Sequence, residues 1–254
     1  MNYKCFIVAE IGMNHMGDEA YADEYLKALG VAHPDGITFQ VQTPAYYQEK
    51  SHQGLVLANE YYRQAARQVR GLGIQFGVSL CDTEKVPFFE EIGTSFYKVL
   101  SKDIGNRTLV SALLATRKPV YVSTGLSDED EIGSFFARLD SEPSNLTLIH
   151  TQLSYDDADT NLRAIAKLRE EFETPVAFGL HSRDANALYA SLGFAPSALF
   201  FYVKGARQIT HRDEEHAVPL ALCHEMVAEI HRLKTMLGDG TKKKMGNRIT
   251  GQKK

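Results

Sequence analysis

Two charged side chains of this 254-residue chain stand inside apolar runs, where an unpaired charge is strongly destabilising. Glu10 follows Phe6-Ile7-Val8-Ala9, and Lys98 lies between Tyr97 and Val99. A carboxylate so placed must be paired, or must act as a base or a substrate ligand. The lysine either binds an anion or, stripped of its proton, forms a Schiff base. Further polar residues close similar runs in order along the chain: Gln40 and Gln42, Ser79, Ser101, Ser123 with Thr124, His150, His181 with Ser182, and Lys204. Hydroxyls that donate and lysines that supply a point charge make a cradle for phosphate or carboxylate, so the expected substrate is a small anionic molecule. His150 and His181 are candidate ligands for a divalent metal that polarises a carbonyl, without any zincin-like spacing to support them.

These residues converge only if the runs before them are the parallel strands of one barrel. Eight short β-branched or aromatic runs (6–9, 37–39, 75–78, 96–99, 120–122, 146–149, 176–178 and 199–203) alternate with segments of helical apolar spacing such as Leu109-Val110-Leu113-Leu114. Alternation of this kind means parallel strands joined by right-handed crossovers. Eight units in 254 residues, with no GxGxxG after the first strand, predict a single-domain α/β fold, the (β/α)8 TIM barrel, over an open doubly wound sheet. In a barrel the residues at the C-terminal ends of the strands form the site. Asn106, Asp128 and Asp184 sit where helix N-caps belong, Gly238 closes the last helix, and residues 42–59 read as an ordered loop over the mouth.

Composition narrows the function classes. The hydrophobic fraction of 44% and the charged fraction of 24% are those of a globular domain. Three cysteines with no CxxC pair argue against a disulfide framework and suit a reducing compartment. No apolar run is long enough for a membrane span or signal segment, so the expected location is cytoplasmic. Six basic residues and no acid lie between Lys242 and Lys254, leaving 22 basic against 32 acidic side chains elsewhere, a net of −10. That balance excludes nucleic acid as the main partner and marks residues 241–254 as a basic, disordered tail behind a barrel of residues 1–240.

At these residues the chain resembles the sialic acid (N-acetylneuraminate) synthase family, whose members condense phosphoenolpyruvate with an amino-sugar aldehyde. Residues 9–18 resemble its AEIGxNHxGD signature, Tyr97-Lys98-Val99-Leu100-Ser101 its YKIAS, and Lys118-Pro119-Val120-Tyr121-Val122-Ser123-Thr124-Gly125 its KPVxxSTG. Leu148-Ile149-His150, Tyr155 and Asn161-Leu162-Arg163-Ala164-Ile165 are similar to LLHCxSxYP…NLRAI, and His216-Ala217 to DHA. The resemblance covers about residues 5–240. It implies proton transfer by Glu10 and a phosphate and carboxylate cradle of Lys98, Ser101 and Ser123, with Ser79 in place of a threonine. It also implies a substrate-side Asp103, a sugar contact at Tyr155, and a manganese or magnesium ion on His181 and a second histidine.

Several site positions depart from the family pattern. Thr38 replaces a phosphate-binding lysine, Gly179 and Ser182 flank His181 where the pattern reads SDHT, and Lys102 replaces a glycine. The second metal histidine falls on Gly205, next to Lys204. The family's C-terminal antifreeze-like domain has no counterpart in these residues, so a barrel-only, divergent member is expected. A homodimer, or pairing with a related protein, is the partner to expect besides the sugar substrate. Three functions fit: a phosphoenolpyruvate-dependent synthase, a metal-independent aldolase, lyase or isomerase using Lys98 or Lys204 as Schiff-base former, and a non-catalytic sugar-acid-binding paralogue.

Overall fold

The computed structural model describes residues 4–139 and 143–242. Eight parallel strands run β1 Phe6–Gly12, β2 Gly36–Val41, β3 Gln75–Leu80, β4 Phe96–Val99, β5 Val120–Ser123, β6 Leu146–His150, β7 Val176–Gly179 and β8 Ala198–Lys204. Each pairs with the next, and β8 pairs back onto β1 from Phe6↔Ala198 to Glu10↔Tyr202, which closes the (β/α)8 barrel. The crossover helices are α1 (Glu19–Ala32), α3 (Asn59–Gly71), α4 (Val86–Glu91), α5 (Arg107–Ala115), α6 (Glu129–Ala137), α7 (Ala164–Glu171), α8 (Asn186–Ser191) and α9 (Leu220–Leu237); a short α2 (Pro44–Gln48) lies in the 42–59 segment. None of the described helices is long and apolar enough to cross a membrane.

Strand alternation divides the interior in two. Ile7, Ala9 and Ile11 join the large apolar layer between sheet and helices, while Val8 points inward with Phe96, Ile149, Ala177, Ala198 and Phe200. Aromatic rings plug the lower barrel, packed edge to face: Phe6 on Phe96 at 5.5 Å, Phe96 on Tyr121 at 5.8 Å, and Tyr121 on Phe200 at 4.9 Å. The Phe96 ring fits because Gly77 faces it, where an added Cβ would come within 2.3 Å of the ring. One step up each strand the same alternation places Glu10, Gln40, Ser79 and Lys98, so the polar mouth stands directly on an aromatic floor.

Local sequence signals start and stop the helices as expected. Asn106 caps α5 through the Leu109 amide, and Asp128 forms a full capping box with Glu131. Asp184, expected at the N-cap of α8, lies one residue before it: Ala185 holds the cap position and Asp184 accepts from the Asn186 amide. The 42–59 segment is ordered by α2, which Thr43 caps and Pro44 opens, and by Tyr46 stacked on His52 at 3.9 Å. One element has no sequence signal: a two-residue strand β9 (Val218–Pro219) pairs with the end of β8. This pairing folds residues 205–217 back over the mouth. From residue 243 onward the expected basic tail lies outside the described residues.

Candidate active site at the barrel mouth

The centre of the mouth is a buried ion pair. The Lys98 ammonium donates to Glu10 Oε1 at 2.7 Å and Oε2 at 2.6 Å, with the two residues 4% and 2% exposed. Their burial makes the pairing obligatory, because either charge alone would be far more costly. The same ammonium lies 5.1 Å above the Tyr202 ring and 5.5 Å from Phe200, both inward residues of β8. Ser79 stands beside Lys98 in strand register, Gln40 beside Ser79, and the Tyr202 hydroxyl donates to Gln40 at 3.4 Å. Ser79 and Ser123 are buried at the ends of β3 and β5. Thr38, paired in register with Glu10, keeps a buried hydroxyl with no partner. A buried hydroxyl without a partner beside Glu10 is a donor that an incoming polar group can satisfy.

A second group covers this pair from β7 and the returning 205–217 segment. His181 stacks on His216 with centroids 4.3 Å apart, and His216 lies under the Tyr155 ring at 5.9 Å. Thr151 Oγ1 bonds His181 Nδ1 at 2.9 Å. Burial, then the neighbouring His216 and Lys98, pushes His181 down to about 2; burial and Lys98 push His216 down to about 4, so both rings are neutral at pH 7. Asp213, 4.0 Å from His216 Nε2, moves the other way: burial and the charge of Glu10 raise it to about 7. Asn14 holds this segment in place, accepting from the Asp213 amide and donating to the Val203 carbonyl.

The opening signature is mostly scaffold. Gly17 has φ +75° and lies so close to Gly54 that an added Cβ would meet the Gly54 carbonyl oxygen at 1.6 Å, pinning the loop after β1 to the 42–59 segment. His15 Nδ1 accepts from the Gly17 amide.

Two expected substrate contacts are turned away from the centre. The Ser182 hydroxyl donates to Asp157 at 2.6 Å and accepts from the Asp184 amide, because that turn must tie down the acidic 151–161 loop. Lys204 is drawn to the rim by Glu214, bonding its carboxylate at 2.5 Å and its carbonyl at 2.8 Å. Ser101 and Asp103 occupy the turn after β4, where Lys102 pairs with Asp103 at 2.8 Å in an exposed setting. Tyr155, 46% exposed, lies at the outer edge with the Arg183 guanidinium 5.1 Å over its ring. Neither lysine is posed as a free amine for Schiff-base chemistry, since both are held by carboxylates.

The donor set does not fit the divalent metal that the resemblance implies. His181 has Thr151 on one ring nitrogen and lies face to face with His216, so their nitrogens do not converge on one point. Gly205, in place of the second histidine, has no room for any side chain: a Cβ there would lie 2.3 Å from the Tyr21 hydroxyl oxygen. His150 instead bonds the Thr160 carbonyl, and His211 bonds Tyr21 and Glu214. Among the described residues no group of three or more His, Cys, Asp or Glu side chains is arranged to hold a metal ion.

Asp213, Tyr202 and Thr151 had not been singled out from sequence. Tyr202 was findable, because it follows Phe200 by two in a strand and must share its inward face. Asp213 sits in an Asp-Glu-Glu run that reads as solvated surface, and it is brought inside by β9 and by Asn14, which accepts from its amide.

Comparison with known proteins agrees with this geometry. The model of the NeuB family matches residues 27–242. The N,N'-diacetyllegionaminic acid synthase of Legionella pneumophila is 24% identical, over 96% of this chain and 76% of that one. The human N-acetylneuraminate-9-phosphate synthase is 23% identical over 94% and 73%. The crystal structure of the N-acetylneuraminic acid (sialic acid) synthetase of Leptospira borgpetersenii, in complex with citrate, superposes with a TM-score of 0.88 at 23% identity, covering 96% of this chain and 88% of that one.

Proposed function

The chain belongs to the NeuB family, and from that premise we propose that it is a sugar-acid synthase, condensing phosphoenolpyruvate with an amino-sugar aldehyde to a 2-keto-3-deoxy sugar acid and inorganic phosphate. The observation that carries this is the buried Lys98–Glu10 pair, with Thr38 beside Glu10 and Ser79 beside Lys98 in strand register and Ser123 buried at the end of β5. Phosphoenolpyruvate brings two anionic groups to one small site. Lys98 supplies the charge to meet them, and the hydroxyls supply donors that do not need charging. Ser101, at the turn after β4, extends that cradle.

Anion binding at Lys98 loosens its hold on Glu10 and frees a carboxylate beside the reacting carbons. Enolpyruvate C3 bonds to the aldehyde carbon, and the aldehyde oxygen takes a proton to become a hydroxyl. Water then adds to C2 and gives a proton to Glu10. The resulting hemiketal phosphate collapses, the C2–O bond to phosphate breaking as the ketone forms. Asp213, raised to about 7, can still carry its proton near neutral pH and is the acid for the first step. His181 and His216 line the aldehyde side, with Tyr155 covering the sugar.

The test is phosphate release from phosphoenolpyruvate across a panel of N-acetylated hexosamines and their phosphates. Release that depends on one aldehyde, with a keto acid formed in equal amount, supports the synthase. Absence of both across the panel refutes it.

A further inference from the structure

We infer that the aldehyde-derived oxygen of the sugar is held by the ring of His216 itself, with no divalent metal between sugar and protein. The inference rests on the synthase reading for the identity of the sugar, but its evidence is separate. His216 is 7% exposed, and neither of its ring nitrogens has a hydrogen-bond partner. A buried imidazole with two unsatisfied nitrogens is unstable on its own and points to a polar group that arrives from outside. Three rings pack around it: His181 stacks at 4.3 Å, Tyr155 lies near parallel at 5.9 Å, and Tyr202 stands near perpendicular at 5.4 Å. Its Nε2 faces Asp213 at 4.0 Å, which leaves Nδ1 to meet a ligand.

A metal in the same place would need both His181 and a side chain at position 205. Tyr21 fills the second place. It is fully buried, packs on Tyr25 at 5.0 Å, and bonds His211 at 2.7 Å, so it cannot swing aside without losing its own partners. Gly205 is fixed as well, its amide donating to the Tyr25 hydroxyl at 2.7 Å. An imidazole N–H in a water-poor pocket does the electrostatic work asked of the metal, since a pre-oriented donor stabilises the developing alkoxide. The Nδ1–H proton completes the hydroxyl, and Nε2 regains a proton from the Asp213 carboxyl on that side of the ring, which is left as carboxylate.

Binding of two product-side probes, N-acetylneuraminate and N,N'-diacetyllegionaminate, is measured calorimetrically in EDTA and again with Mn²⁺, alongside a titration of Mn²⁺ alone. One sugar acid is expected to bind equally well in EDTA, and His216→Ala to weaken it about ten-fold or more, with His216→Gln, which keeps an N–H, recovering part of the loss. The Mn²⁺ titration is expected to show no stoichiometric site. A stoichiometric Mn²⁺ site abolished by His181→Ala, sugar binding that requires Mn²⁺, unchanged binding in His216→Ala, or no sugar binding in any condition each overturns the inference. Sugar binding in EDTA without phosphate release from phosphoenolpyruvate would leave it standing while the synthase reading fails.

Discussion

Lys98 holds both oxygens of Glu10 across the barrel, from β4 to β1, with neither group reaching bulk water. Removing one partner leaves a buried charge unmatched. Lys98→Met is therefore expected to lower unfolding stability by about 3–5 kcal/mol, and the double variant Glu10→Gln/Lys98→Met to recover much of that loss. Urea denaturation of the two variants and the parent checks it. A single-variant cost below about 1 kcal/mol, the worth of an exposed pair, would mean that the pair is solvated. Both variants are expected to lose phosphate release.

Asp213 gives the protein an unusual pH response. Its folded carboxyl titrates near 7, well above the unfolded value, because it is buried facing Glu10, with Lys98, Arg212 and Asn14 offsetting only part of the rise. Between about pH 4 and 7 Asp213 therefore holds in the native state a proton that it has released in the unfolded state, and its own contribution to stability falls as pH rises through that window. Tyr202 and Tyr25, also near Asp213, do not change charge there, whereas His216 contributes in the opposite direction. Asp213→Asn is expected to flatten this slope and to be the more stable protein at pH 8, by on the order of 1–3 kcal/mol. Its activity is expected to fall and to lose the decline above pH 7 that is expected of the parent. Thermal melts and a kcat/KM profile from pH 5 to 9 decide both points.

His181 and His216 act in the opposite direction. Their folded values lie below the unfolded one, so the unfolded chain binds protons first, and stability is expected to fall as pH drops below about 6.5. The double variant His181→Gln/His216→Gln should lose less stability between pH 6.5 and 5 than the parent. Parallel melting curves across that range would contradict the neutral, stacked arrangement.

The barrel was legible because each strand announces itself as a short apolar run, and because polar residues at strand ends are visible without coordinates. Glu10 and Lys98 stood out for one reason: a charge inside an apolar run has few physical excuses. Ser182 and Lys204 misled because strand-end position does not fix where a side chain finds its partner. Asp157 and Glu214 lie 25 and 10 residues away in sequence, in loops whose paths depend on the whole fold. Asp213 was invisible because its segment is turned inward by two residues of β9 and by the distant Asn14, neither of which its own run of acids announces.

Those two misleading positions make a prediction of their own. Ser182→Ala removes bonds to Asp157 and the Asp184 amide, so it is expected to lower stability by about 1 kcal/mol and to leave kcat/KM near the parent value. Lys204→Met should behave likewise, since its partner Glu214 lies at the rim and regains water. A hundred-fold loss of kcat in either variant would return that side chain to the reacting centre.

Gly205 offers the most direct structural test of why no second histidine can stand there. An alanine Cβ would lie 2.3 Å from the Tyr21 hydroxyl oxygen and 2.7 Å from two of its ring carbons, so the clash is with the ring as well as the oxygen. Gly205→Ala is expected to cost about 1–3 kcal/mol by overpacking, and Gly205→His more. Tyr21→Phe should relieve only the contact with the oxygen, so Tyr21→Phe/Gly205→Ala is expected to remain less stable than Tyr21→Phe alone. Denaturation midpoints of the four proteins measure this coupling. An unperturbed Gly205→Ala would show that Tyr21 yields, and position 205 would then be free to carry a ligand.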